Sequence, residues 1–208
     1  GFLLIERVIA FIAGDSAFFA GFLFRIIGVL SVAILTVGVA RLARLHGIDD
    51  ANAVWLSALN PLVIMHLVAG SHNDGLMVAA AVVSLVYAGQ HKFVRAVIIA
   101  TVSLSVKPVG IILFPFIALS MTNSIRIRDR ISKLALVTLI GGISLITMSW
   151  IANVGPLGWL GALSTPGAVR SWLSPATALG MASGQFLSLI GIVDAVDKTI
   201  PMFRLIGS

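Results

Sequence analysis

Long apolar runs, broken at short polar intervals, mark out the elements of this chain. Residues 2–13 have a helical pattern but are too short to span a bilayer. Glu6 and Arg7 lie inside the run, which predicts an interfacial helix. Gly14-Asp15-Ser16 ends it, and Asp15 or Ser16 caps the next helix. Residues 17–40 form the first span, with Arg25 as its one charge. It ends in RLARLHG, where Arg41 and Arg44 suit a helix C-terminus and Gly47 suits the position beyond it. Asp49 and Asp50 cap a helix over 51–69. Asn60-Pro61 falls in its middle, where proline removes a backbone hydrogen bond and kinks the helix. Gly70 closes that helix, GSHND reverses the chain, and 73–90 runs back.

Residues 93–121 decide the topology. As one span they would bury Lys107 near the bilayer centre, at a cost of about 3 kcal/mol, and put the basic stretch IRIRDR on the outside. As a hairpin, 93–106 goes out, 109–121 comes back, and Lys107-Pro108 is the outer tip. Each arm is then about 20 Å long, so the tip lies below the outer surface. Short or broken helices are tolerated where they line a wet cavity. The hairpin is the cheaper reading, and it keeps the basic loop 126–133 inside. Residues 134–152 cross again. An outer loop, 153–175, holds Trp159, Trp172 and Arg170, residues 176–192 predict a second interfacial helix, and a further span begins at 200–208.

Composition places these elements in a membrane. Of 208 residues, 59% are hydrophobic and 11% charged, against about a quarter charged in soluble domains. The net charge of +6 sits between the apolar runs, the positive-inside pattern, and calls for no nucleic-acid partner. There is no cysteine, hence no disulfide and no thiolate metal site. The chain opens on Gly1 and stops within an apolar run, as expected of a fragment of a longer protein. No internal repeat is visible. The expected fold is all-α and integral to the membrane, a single multi-helix domain with interfacial helices and short broken or re-entrant helices.

Polar residues held among membrane helices are costly and mark either a site or a satisfied network. The 60–75 stretch concentrates them in NPLVIMHLVAGSHNDG. With the hairpin topology, the GSHND turn, Lys107 and Arg170 share the outer side and face one another across an outward cavity. The cations suit a phosphate group. His72, Asn73, Asp74 and His66 offer a carboxylate, imidazoles and an amide. Each has a structural reading as well. Ser71 and Asp74 fit a capping box, His66 fits a hydrogen-bonded core histidine, Asn60 fits the backbone donors at the kink, and Arg170 fits an interface anchor. His66, His72 and Asp74 match no standard metal spacing, and no metal or cofactor is assigned. A transporter or a non-catalytic structural subunit would use the same broken helices and intramembrane charges.

Three segments carry a family resemblance: NPLVIMHLVAGSHNDGLM over 60–77, SLSVKPVGIILFPFIAL over 103–119 and GWLGALSTPGAVRSWLSPATALG over 158–180. Together they resemble the actinobacterial polyprenyl-phosphate-mannose-dependent α-(1→6)-mannosyltransferases. These are GT-C membrane glycosyltransferases that build the mannan core of lipomannan and lipoarabinomannan. The resemblance implies a bundle of many helices in the plasma membrane with its active site on the extracytoplasmic side. It implies a polyprenyl-phosphate-mannose donor lipid, a mannan or lipomannan acceptor and inversion at the anomeric carbon. The general base of such enzymes lies in the first outer loop, a region expected before Gly1. Lys107 would contact the lipid phosphate. Asp74 and His72 are the catalytic candidates, while Asn73, Arg170 and His66 would shape the substrate pocket.

Overall fold

The computed structural model describes residues 2–70, 72–155, 175–192 and 194–206, with backbone alone for 204–206. Among the described residues every regular element is a helix. The chain separates into two compact units, Gly1–Trp159 and Leu160–Ser208.

The first unit contains α1 (Phe2–Ala13), α2 (Ala17–Leu45), α3 (Asp50–Ser57) and α4. Helix α4 opens as Pro61–Val63 and continues as a π-helix over Ile64–Ala69. Then come α5 (Asp74–Gly89), α6 (Phe93–Val106), a 3₁₀ turn (Pro108–Ile112), α7 (Leu113–Ser120) and α8 (Ile127–Ile151). Helices α2 and α8 are long and apolar enough to cross a membrane. The α3–α4 pair is a third such segment if its bent halves count as one, and α5, α6 and α7 are apolar but shorter.

Local chemistry explains the boundaries. Ser16 Oγ accepts from the Phe19 amide and starts α2. Helix α2 runs on through the arginines to Leu45. It stops where Gly47 takes φ +68°, a left-handed turn that returns the Gly47 and Ile48 amides to the Arg44 and Ala43 carbonyls. The basic stretch 126–133 is not a loop. It forms the first turns of α8, where Asp129 meets the favourable end of the helix dipole. Ser124 locks this start, its Oγ donating to Asp129 Oδ2 at 2.5 Å and its backbone carbonyl accepting from Arg130 Nε at 3.1 Å.

Small residues fix the packing. Helices α2 and α5 run parallel: Gly38 lies against Val82, Gly75 beside Ser31, and Gly89 against Leu45. Helices α5 and α6 run antiparallel. Ser84 Oγ donates to the Ala96 carbonyl at 2.8 Å and Ser103 Oγ to the Met77 carbonyl at 3.0 Å, both from fully buried side chains. At Lys107 the chain doubles back. A Cβ on Gly110 would lie 2.4 Å from the Leu104 amide nitrogen, so only glycine lets the 3₁₀ turn fold onto α6. Thr101 of α6 and Phe114 of α7 both meet Gly141 of α8. Val97, Ile117 and Val137 fill the core between these helices, and Leu35, Ala58 and Ala79 form a second cluster among α2, α5 and the end of α3.

This connectivity sorts the polar residues into two ends of the first unit. One end collects Arg41, Arg44, Lys92, Arg95 and the start of α8. The other collects Gly70, His72, Asp74, Lys107 and the C-terminus of α8, where the Arg7 guanidinium donates to the Ala152 carbonyl. In the second unit, α9 (Pro175–Leu189) and α10 (Ala195–Ile206) form an antiparallel pair. Gly180 sits on the Ile200 backbone, Gly184 sits on the Val196 backbone, and Thr199 Oγ1 donates to the Gly180 carbonyl at 2.6 Å.

Candidate active site

The expected kink at Asn60-Pro61 is a full break. Helices α3 and α4 are separate and bent by 48°. Asn60 caps the second of them, its Oδ1 accepting from the Leu62 amide at 2.9 Å, while Pro61 takes the first helical position. Asn60 thus serves the backbone at the break, as its local chemistry suggests. The α4 helix then widens, with the Gly70 amide donating to the Met65 carbonyl at 3.0 Å in the five-residue pattern of a π-helix. Single π turns of this kind concentrate at functional sites. Helix α2 holds the π turn closely: a Cβ on Gly28 would stand 2.7 Å from the Leu67 carbonyl oxygen.

His66 belongs to that π turn, and it is not a core histidine. It is exposed, because the π turn buries Leu67 instead, and it stacks on exposed His72 with ring centroids 4.3 Å apart and planes 16° from parallel. Gly70 makes the stack possible. A methyl there would lie 2.6 Å from the His66 carbonyl oxygen and 2.8 Å from His72 Cδ2. Asn73 is half-buried and precedes α5 without a side-chain capping bond.

Asp74, the first residue of α5, binds Lys107 directly. Lys107 Nζ donates to Asp74 Oδ1 at 2.5 Å, although 33 positions separate them. The two were expected to face each other across a cavity; the α5–α6 packing instead brings them into contact. The antiparallel register set by Ser84 and Ser103 aligns the start of α5 with the end of α6. Lys107 is extended there (φ −142°, ψ 139°), which breaks the helix and frees its side chain to turn towards α5. The side chains of Lys107 and Asp74 stay 39% and 30% exposed, so a ligand can still reach both. Water screens such a pair, and it contributes about 1 kcal/mol or less to stability. Asp74 Oδ2 has no hydrogen-bond partner among the described residues. Ser71, the other half of the proposed capping box, lies outside them, as do Arg170, Trp159 and Trp172.

His66, His72 and Asp74 can bring one ligand atom each within 4.8 Å of one another. That span is wide for zinc, whose ligands sit about 2.0–2.2 Å from the metal, and Lys107 already holds the carboxylate. The cluster is better equipped to hydrogen-bond a polyol and to meet an anion than to hold a cation. Four of the six candidate residues therefore meet at one end of the bundle, in two contacting pairs: Asp74 with Lys107, and His66 with His72. Asn73 is adjacent in sequence. Gly28 was not singled out from sequence, and Gly70 was read only as the end of a helix, not as the residue that makes room for the histidine stack. Their only signal is small size, shared by many packing glycines.

The chain is 28% identical to a probable alpha-(1->6)-mannopyranosyltransferase of Mycolicibacterium smegmatis, over 99% of its own length and 42% of that protein. It is 26% identical to an alpha-(1->6)-mannopyranosyltransferase of Mycobacterium tuberculosis, over 99% and 44%. It is 30% identical to alpha-(1->6)-mannopyranosyltransferase A of the same organism, over 85% and 35%. The chain thus spans less than half the length of these curated relatives. No solved structure matches it. Residues 1–124, which include the histidine pair, Asp74 and Lys107, match the family model described as alpha-(1->6)-mannopyranosyltransferase, N-terminal domain. This chain is a membrane protein of the alpha-(1->6)-mannopyranosyltransferase family, carrying that family's N-terminal domain.

Proposed function

We propose that the chain is part of a multi-pass plasma-membrane glycosyltransferase. It moves mannose, with inversion, from a polyprenyl-phosphate donor to a mannan or lipomannan acceptor on the extracytoplasmic side. The observation that carries this reading is the Asp74–Lys107 contact at the break between two short helices, beside the His66–His72 stack. The reaction needs a cation for the departing lipid phosphate, since negative charge develops on that oxygen as the glycosidic C–O bond breaks. Lys107 supplies that cation, and Asp74 aims it. Asp74 Oδ2 and His72 would accept a hydrogen bond from the acceptor hydroxyl and position it for attack. Asn73 and His66 add hydrogen-bonding groups for the sugars.

Two measurements test this. Membranes containing the full-length protein are given labelled mannose on polyprenyl phosphate. Label should enter the mannan with its anomeric configuration opposite to that of the donor. Direct incorporation from a nucleotide sugar, with no lipid carrier formed, would overturn the donor assignment. In intact cells, single cysteines at positions 74 and 107 should react with an impermeant reagent and one at 128 should not. Labelling at 128 from outside would overturn the topology.

A further inference from the structure

A cavity of about 600 Å³ opens at the other end of the first unit, between α2, α5 and the start of α6. Arg41, Lys92 and Arg95 line it, and no carboxylate does. These cations come from three places: α2, the 90–92 turn and the first turn of α6. Of the other cations at the same end, Arg44, one turn from Arg41, is paired with Asp50 at 2.6 Å, and those at the start of α8 do not line the cavity. Around the cavity, Lys92 has only a neutral partner, the Gln90 Oε1 at 2.9 Å. Arg41 and Arg95 have no acidic partner among the described residues. Tyr87 adds a phenolic hydroxyl to the lining.

The remaining wall is apolar and uncovered. Ile34 and Val37 of α2 are 45% and 50% exposed within it. A concave site with three unpaired cations at one edge and bare aliphatic side chains along the other matches one ligand chemistry: a phosphodiester attached to an acyl chain. We infer that this cavity binds the headgroup of an anionic phospholipid, with the phosphate among Arg41, Lys92 and Arg95 and the acyl chain along α2. Positive residues at helix ends also direct membrane insertion, but that role asks only for charge at one end and not for its convergence on a cavity. The inference does not rest on the proposed transfer reaction, because the site lies at the opposite end from Lys107.

Binding of phosphatidylglycerol against phosphatidylcholine to the purified protein, read by native mass spectrometry, tests it. Phosphatidylglycerol should be retained preferentially, and inorganic phosphate in excess should not displace it. R41Q/K92Q/R95Q should weaken retention by about a hundredfold, at roughly fivefold per cation. R126Q/R128Q/K133Q, the same charge change at the same end but away from the cavity, should alter it by less than about threefold. Should the triple cavity variant fail to fold, R41Q and R95Q alone should each show the fivefold loss. Equal losses in both triple variants, no preference for the anionic lipid, or displacement by inorganic phosphate would each overturn the inference.

Discussion

Removing one or both members of the Asp74–Lys107 pair separates a structural contact from a catalytic one. With both side chains about one third exposed, the pair is screened, and losing it costs about 1 kcal/mol. In a domain of this size that lowers the melting temperature by about 2–4 °C. Against a typical stability of about 5–15 kcal/mol, the protein stays folded. The proposed role in transfer predicts a different scale. Removing a cation aimed at a developing anion costs about 10²–10³ in rate, or roughly 3–4 kcal/mol of barrier. Lys107→Met should therefore leave the melting temperature within a few degrees and cut mannosyl transfer at least a hundredfold. Asp74→Asn should also cut it, because Lys107 is then free to swing away. The decisive variant is the double, Asp74→Asn with Lys107→Met. Deleting both partners of an ion pair is close to neutral for stability, so a merely structural contact predicts recovery. The phosphate-binding role predicts none. Transfer would be followed in membranes with labelled polyprenyl-phosphate mannose, and folding by thermal melting in detergent. Full transfer by a well-folded double variant would refute the assignment.

Other substitutions probe the supports of the site. Gly70→Ala would press on both the His66 carbonyl oxygen and the His72 ring, so it should disturb the π turn, lower the melting temperature by a few degrees and reduce transfer by up to about a hundredfold. Normal activity would show that the stack is incidental. Gly141→Ala would place a methyl 2.4 Å from the Phe114 ring and should cost about 1–3 kcal/mol, and Phe114→Leu in the same chain should recover most of it. Additive losses would argue against that contact. At the basic end, the hydrogen bond from Arg44 holds the Asp50 carboxyl below its ordinary value of 3.8. Its folded value is the depressed one, so its contribution is complete above that pH and disappears as pH falls through the lowered value. Asp50→Asn should thus lower the melting temperature slightly and by a constant amount at every pH above 3.8, and the difference from the unsubstituted protein should close as pH falls through the lowered value; a difference that persists unchanged into acid would contradict this.

Much of the helical layout was readable from the sequence, for identifiable reasons. The apolar runs are punctuated by Gly14, Asp49-Asp50, Gly70 and Lys107-Pro108, and each of these marks a boundary between helices in the structure. The reversal at Lys107 followed from the cost of a lysine inside one span, and Gly110 shows how the backbone achieves it. What could not be read depended on packing between distant segments. The Asp74–Lys107 contact follows from an antiparallel register that two buried serines adjust, and serines in a membrane helix do not announce their partners. The π turn over Ile64–Ala69 has no composition of its own, so the exposure of His66 was hidden with it. The basic segment looked like a loop because its charges mask a helix start that depends on the bonds made by Ser124. Gathering Arg41, Lys92 and Arg95 around one cavity likewise needed the parallel packing of α2 on α5.

The shortness of the α5–α6 hairpin has a consequence for the bilayer itself. Its arms of 16 and 14 residues measure about 24 and 21 Å, against a hydrocarbon core of about 30 Å. In the proposed topology this edge of the protein has a negative hydrophobic mismatch, which the membrane relieves by thinning around it. Such a dimple draws lipid phosphates inward to the depth of Lys107. A donor whose polyprenyl chain would otherwise hold its sugar above the site could then reach it with little strain, so the protein would lower the membrane to its substrate's reacting bond.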